Sequence, residues 1–256
     1  MADANTPADE PLTGKMFLFE QPELLNKEQH GKLGITRREA PFGFAREIRA
    51  VPVTVGEIAT MQKAYPVVFS DLENPVPLAI VGIFEDRNLF VDDEGRWDPD
   101  HHVPAYLRCH PIAFARRSDD QYAVVIDRSS GAISEAPQFP FFDGDKLAAE
   151  VQTMVDFCAT YDRDRRRTQE ICEAIKALGL LSAQQAAGTP PGSTEEKPIA
   201  NYVAVDASKL DSIEKDALME IHKSGALATI FAHLYSLENW GRLLHRRSKL
   251  SSADAS

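Results

Sequence analysis

"YPVVFSDLENPVPLAIVGIF", Tyr65 to Phe84, holds two runs of Val, Ile, Leu and Phe separated by Asp, Asn and Pro. Runs of about four to eight such residues bounded by breakers are the signature of strands. The pattern repeats on both sides, in "REIRAVPV" before it and in "NLFVD", "HPIAFAR" and "QYAVVID" after it. "PLAIVGIF" and "YAVVID" are apolar nearly throughout, which predicts central strands covered on both faces. "DDEG" (Asp92 to Gly95) and "DRSSG" (Asp127 to Gly131) end in glycine and read as tight turns in which glycine takes a positive φ. One helix interrupts the series: Thr54 with Glu57 forms a capping box, Ile58, Met61 and Tyr65 share a face, and Pro66 stops it.

After Phe142 the apolar period changes from strand-like to helical. Leu147, Val151, Met154, Val155, Cys158 and Tyr161 predict a helix from about Asp145 to Asp162. Ile171, Cys172, Ile175 and Leu178 predict a second, closed by Gly179. The basic cluster Arg163 to Arg167 falls between them and reads as a solvated junction. Ser182 to Pro198 has the composition of a linker or exposed loop. "IANYVAVD" alternates like an edge or hairpin strand, Asp211 with Glu214 offers another capping box, and a helix follows to Gly225. Leu227, Ile230, Phe231 and Leu234 mark a further helix, and Ser236 is placed to cap a last one carrying Leu237, Trp240 and Leu244.

The expected fold is therefore α+β: a mostly antiparallel or mixed sheet in the N-terminal half packed by helices, with a helical C-terminal segment. The expected division is a disordered tail over 1–14, a main domain over 15–181, a linker over 182–198, a C-terminal strand with helices over 199–247, and a second tail over 248–256.

Composition excludes several classes. The 256 residues carry a net charge of −11, the opposite of a nucleic-acid footprint. Three cysteines, Cys109, Cys158 and Cys172, have no CxxC spacing and read as reduced and buried. The first residues are acidic where a secretory signal is basic, and no run of about 18 apolar residues occurs, so no transmembrane segment is expected and the expected location is cytoplasmic.

Candidate chemistry concentrates between Asn88 and Ala115. Asp98, Asp100, His101 and His102, with His110 nearby, are ligand types for a metal, but adjacent histidines on extended chain point to opposite sides. "DRNLFVDDEG" fails the EF-hand pattern. GxSxG, GxxxxGK[ST] and GxGxxG do not occur, and no cofactor is implied. Cys109 beside His110 is an activated thiol only if the two side chains meet, which neighbours in sequence rarely do. Arg96, Trp97, Tyr106 and Arg108 are the types that hold a carboxylate or phosphate against a flat ring; the plainer alternative is that Trp97 packs on the sheet while the arginines pair with Asp92, Asp93 or Glu94. His222 and His233 sit beside apolar stripes and read as core or boundary residues.

The chain resembles the SapC family of bacterial proteins, through "HGKLGI" (His30 to Ile35), "AVPVTVGEI" (Ala50 to Ile58), "YPVVFS" (Tyr65 to Ser70), "PLAIVGIFEDRNLFVDDEGRW" (Pro77 to Trp97), "VPAYLRCHPIAF" (Val103 to Phe114) and "GALATIFAHLYSLENWGRLLHRR" (Gly225 to Arg247). The resemblance implies a soluble accessory linked to surface-layer or transport systems, with surface association only by a non-classical export route. It implies no reaction. The leading expectation is a protein that binds a protein partner, a peptide or a small ligand, with the aliphatic C-terminal face equally suited to a homodimer. An enzyme with a pocket near Arg96, Tyr106 and Arg108, and a metal protein using His101 or His102 with Asp98 or Asp100, are the alternatives.

Overall fold

The computed structural model describes residues 2–3, 16–116, 122–189 and 194–253. Among the described residues the α-helices are, in chain order, α1 (Lys27–His30), α2 (Val55–Met61), α3 (Ala105–Cys109), α4 (Ala149–Ala177), α5 (Lys215–Ser224), α6 (Ala226–Ser236) and α7 (Asn239–Ala253). With several small antiparallel sheets, this is the expected α+β class. The expected N-terminal tail lies, apart from Ala2–Asp3, outside the described residues.

The chain divides into two compact units, each drawn from two separate stretches: Met1–Phe44 with Leu107–Arg163, and Ala45–Tyr106 with Asp164–Ser256. This replaces the expected boundary near residue 181. The physical reason is strand pairing. Leu181–Gly188 is a strand, not a linker, and forms a hairpin with Lys197–Val205. The hairpin joins the sheet of Val67–Phe69, Pro77–Ile80 and Ala50–Pro52 through Val203 against Phe69.

In the first unit, Tyr122–Asp127 is the central strand, flanked by Ile112–Arg116 and Pro22–Leu24, both antiparallel to it. Its residues from Ala123 to Asp127 are all buried, as the apolar run predicts. Leu25, Ile112, Val124, Ile126 and Phe141 pack with Val151, Val155 and Cys158 of α4. In the second unit, Phe69, Val203 and Val205 of the sheet pack with Ile171, Cys172 and Ile175 of α4, Ile221 of α5 and Ile230 of α6. So α4 lends its first half to one core and its second half to the other.

Several local expectations change. "RDRRR" is not a helix junction: α4 runs straight through it, since arginine is a good helix former and nothing there breaks the turn. "PLAIVGIF" is strand only to Ile80, because Val81 and Gly82 both donate to the Arg49 carbonyl and the chain leaves the ladder. "NLFVD" pairs only through the single bridge Val91 to Trp97. Gly131 is absent from the positive-φ glycines; a Cβ there would meet only the end of the flexible Arg38 side chain, at 2.2 Å, so neither φ nor close approach demands glycine at this turn. The box of Asp211 with Glu214 does not form: Asp206 caps a 3-10 turn at Ala207–Ser212, and α5 starts after Glu214 with no side-chain cap. The expected C-terminal tail is helical to Ala253. The capping box of Thr54 with Glu57 does form.

Candidate functional site

The crowded stretch after Asn88 folds as a pinned loop. Buried Asn88 donates from Nδ2 to the Ala45 carbonyl and accepts the Phe90 amide on Oδ1. Asp92 organises the turn: its Oδ1 accepts the amides of Glu94 and Arg96, and Gly95 at φ 80 closes it. These hydrogen bonds, chiefly that from the Arg96 amide, hold the Asp92 carboxyl below the usual carboxylate range. The two arms of the loop then bring Phe90 and Trp97 into a stack with ring centroids 5.9 Å apart. Tyr65 lies 4.7 Å from Phe90, and its buried hydroxyl donates to the His102 carbonyl at 2.8 Å. Burial pushes the Tyr65 phenol well above its ordinary pKa.

Arg246 of α7 fixes the other side. Its guanidinium lies 4.3 Å over the Phe90 ring, donates to the Leu89 carbonyl at 2.5 Å and pairs with Asp98. Burial alone would raise the Asp98 pKa. Hydrogen bonds from Arg246, the Asp100 amide and His101 outweigh that and hold the carboxyl ionised, below its usual range. The result is a cleft of about 630 Å³ with Phe90, Trp97, Leu89 and Leu250 on its walls and Arg87, Asp93 and Arg96 around it. That volume is within the ordinary range for a ligand site, roughly 300–1,000 Å³.

The sequence candidates distribute as follows. Arg96 and Trp97 do line this cleft, but Arg96 is already tied to Asp92 at 2.9 Å and Glu94 at 2.6 Å. Tyr106 is half-buried in the second unit. Arg108 belongs to the first unit, where its guanidinium sits 4.8 Å over Phe157. His101 turns to Asp98 at 3.2 Å and His102 to Glu57 at 3.5 Å, so the neighbouring imidazoles diverge, as extended backbone requires. Asp100 is exposed. Among the described residues, no group of three or more His, Cys, Asp or Glu is arranged to hold a metal ion.

Sequence reasoning missed the part played by Leu250, which falls in the expected tail over 248–256, and by Arg246, which lies in the expected C-terminal segment but meets partners, Phe90 and Asp98, far from it in sequence. The signal was present as helical spacing in "RLLHRRSK", Arg242 to Lys249. It saw Glu57 only as a cap. Glu57 is buried; Oε1 accepts the Thr54 amide at 3.2 Å and Oε2 the Ala105 amide at 2.9 Å, tying α2 to the start of α3. Glu57→Gln removes one of these acceptors and is expected to lower the stability of the second unit by about 1–2 kcal/mol. Trp97 and Trp240 both belong to this unit and are the only tryptophans. Urea unfolding followed by tryptophan fluorescence therefore reads the effect, and a midpoint equal to wild type would refute the role given to Glu57.

The first unit holds a buried dyad. His110 donates from Nε2 to Asp127 Oδ2 at 3.2 Å, with Phe44 stacked on the imidazole at 3.9 Å and Phe19 edge-on at 5.2 Å. Burial, only partly offset by Asp127, lowers the His110 pKa. Ser129 donates its hydroxyl to Asp127 at 2.7 Å and not to His110, so the three do not form a Ser-His-Asp relay. Cys109 and Cys158 are buried, and the Cys158 thiol donates to the carbonyls of Cys109 and Ile112 at 3.8 Å. The Cys109 thiol beside it, and then burial, push the Cys158 pKa up; burial pushes Cys172 up to about 12. Raised pKa values oppose thiolate formation, so neither Cys158 nor Cys172 is an activated nucleophile.

Fold and site together define a two-unit α+β protein with an open, aromatic-walled cleft in its second unit. The chain belongs to the SapC family, whose family model matches residues 25–243. No curated protein and no solved structure matches it. No helix among the described residues is long and apolar enough to cross a membrane.

Proposed function

We propose that this SapC-family protein is a non-catalytic accessory of a surface-layer or transport system, acting in the cytoplasm by holding a partner protein or its peptide segment in the cleft around Phe90 and Trp97. The observation that carries the reading is the state of the charged groups around the cleft. Arg246, Asp98, Arg96 and Asp92 are each already engaged in ion pairs or backbone hydrogen bonds, so the walls are rigid before anything binds. A catalytic acid or base needs to face the reacting group with its pKa near working pH. The carboxyls here are instead locked ionised. Preorganised aromatic and arginine surfaces are what recognition sites are built from.

Co-purification from native cells with a tagged chain tests it. Leu250→Trp fills the cleft from the α7 side and leaves Phe90 and Trp97 themselves unchanged. The expected result is one specific protein recovered by wild type and reduced at least about tenfold with Leu250→Trp, a loss of roughly 1.4 kcal/mol or more. Equal recovery by both chains would remove the cleft from the interaction. Recovery of no specific protein, together with turnover of a small molecule by the purified chain, would favour the enzyme alternative.

A further inference from the structure

The five-stranded sheet of the second unit ends in two edges of unlike character. At one stands Ala50–Pro52, which is short, closes on a proline and offers a neighbour few backbone groups. At the other stands Leu181–Gly188, eight residues long and paired on its inner side only, with Lys197–Val205. Natural edge strands are blunted by brevity, proline, charge or a bulge, since a bare edge invites another strand. Leu181–Gly188 has none of these. Its residues are Leu, Ser, Ala, Gln, Gln, Ala, Ala and Gly, without one charge, in a chain whose net charge is −11. The register shift at Ala186/Ala187 leaves its extra residue, Ile199, in the inner strand, so the edge strand itself runs unbroken.

The ladder fixes which groups face out. Asp206 donates to the Leu180 carbonyl, whereas the Val205 amide turns away to His233 and Val203 pairs with Phe69 on that far side. In an antiparallel ladder, residues that bond to the neighbour alternate with residues that bond away from it. Ser182, Gln184 and Ala186 therefore bond inward, and Leu181, Ala183, Gln185 and Ala187 turn amide and carbonyl outward. Among the described residues no strand pairs on that side. The faces of the sheet are covered: Val203 and Val205 pack with α4, α5 and α6, and Tyr202 lies 5.3 Å from Trp240 of α7. A row of outward backbone groups is satisfied by an extended strand, and a second copy of this chain supplies one that fits. Turned about a two-fold axis at Gln184, the strand sets Ala183 opposite the second copy's Gln185, and Leu181 opposite its Ala187. Each outward residue then meets an outward residue, so the pairing is reciprocal. The exposed Gln185 stands against a small alanine, and the two Gln185 amides come within reach of each other diagonally across the axis. No charge on either strand opposes the approach of two such acidic chains.

We propose that Leu181–Gly188 is a dimerisation edge, through which two copies of the chain join their sheets into one continuous antiparallel sheet. The role given to the cleft around Phe90 and Trp97 is separate, and failure of either reading leaves the other standing. Sedimentation velocity of the full chain over a range of concentrations, at constant ionic strength, tests it. Wild type is expected to pass reversibly from monomer to dimer. Ala183→Pro removes an outward amide and no bond to the inner strand, a position where edge strands accept proline, and should weaken the dimer at least about tenfold. Gln185→Lys and Gln185→Glu should each weaken it too, because like charges then meet across the axis. An equimolar mixture of those two variants should form a dimer tighter than either alone. Gln185 is exposed, so neither charged variant threatens folding if the proline does. A chain that stays monomeric up to about 1 mM, a dimer that Ala183→Pro leaves as strong, or a mixture no tighter than its components overturns the proposal. A monomeric chain whose Ala183→Pro variant loses a protein recovered from native cells would overturn it as well, and would assign the edge to a foreign strand.

Discussion

Lowering the pH from 7 to 4 is expected to cost the second unit roughly 3 kcal/mol through His233 alone, and replacing that histidine should remove this part of the loss. His233 is fully buried on α6. Its Nε2 accepts the Val205 amide at 3.1 Å, and its Nδ1 donates to the Val67 carbonyl at 2.6 Å. The strands Lys197–Val205 and Val67–Phe69 share one ladder pair, Val203 with Phe69, and the imidazole takes up one backbone group of each beyond it. Ser236 completes the repair: its Oγ accepts the Val67 amide at 2.9 Å. A second proton on the imidazole would point at an amide N–H, and it would be charged in a dry interior. Burial is the main cause and the Val67 carbonyl a smaller opposing one, and together they lower the pKa to about 4.

The folded pKa lies below the unfolded value of about 6.5, so between those values the unfolded chain holds more protons than the folded one. The contribution is complete above pH ~6.5, falls by up to about 1.4 kcal/mol per pH unit below it, and is exhausted near pH 4. Denaturant unfolding followed by tryptophan fluorescence, from pH 7 to 4, measures it, because both tryptophans report on this unit. His233→Gln should be less stable at neutral pH, yet vary less with pH, the two curves converging towards pH 4. Parallel curves for the two proteins would show that the imidazole is not kept neutral by this environment.

What was legible in the sequence follows the range over which each signal acts. The capping box of Thr54 with Glu57, the buried strand Tyr122–Asp127, the stop at Gly225 and the reading of His233 as a core or boundary residue all follow from a few adjacent residues. The interleaved units do not, because they depend on Val203 meeting Phe69 across more than a hundred intervening positions. Ser182 to Gly188 illustrates the limit. Gln, Ala and Ser make a poor strand by propensity, but pairing with a neighbour that is itself part of a sheet overrides it. Arg96 and Trp97, which line the cleft, were singled out from residue type alone. Arg246 stacks on Phe90 and pairs with Asp98, partners about 150 positions away that no local pattern could supply.

Asp127→Ala should destabilise the first unit by about 3–5 kcal/mol, because it strips a buried carboxylate from five donors at once. Oδ1 accepts the amides of Gln21 at 3.0 Å and Ser129 at 3.2 Å together with the Ser129 hydroxyl. Oδ2 accepts the Glu20 amide at 3.3 Å and His110 Nε2 at 3.2 Å. The carboxylate therefore fixes the entry of the chain into the edge strand Pro22–Leu24, where the Gln21 carbonyl in turn accepts the Arg128 amide. Burial alone would raise the Asp127 pKa; the bonds from Ser129, the Gln21 amide, His110 and the Glu20 amide outweigh it and lower it. Its contribution is thus complete above the ordinary carboxylate pKa of about 4 and fades as pH falls through the depressed folded value. Asp127→Asn keeps one oxygen for the Oδ1 donors and can donate to an imidazole that changes tautomer, so it should cost only about 1–2 kcal/mol. Hydrogen exchange resolves the matter residue by residue. In Asp127→Ala the amides of Glu20, Gln21 and Ser129 should exchange on the order of a hundredfold faster, with a smaller change for Asp127→Asn. Equal protection of those three amides in wild type and Asp127→Ala would mean that the strand Pro22–Leu24 is held by its ladder and core contacts, and that the dyad merely occupies the space beside it.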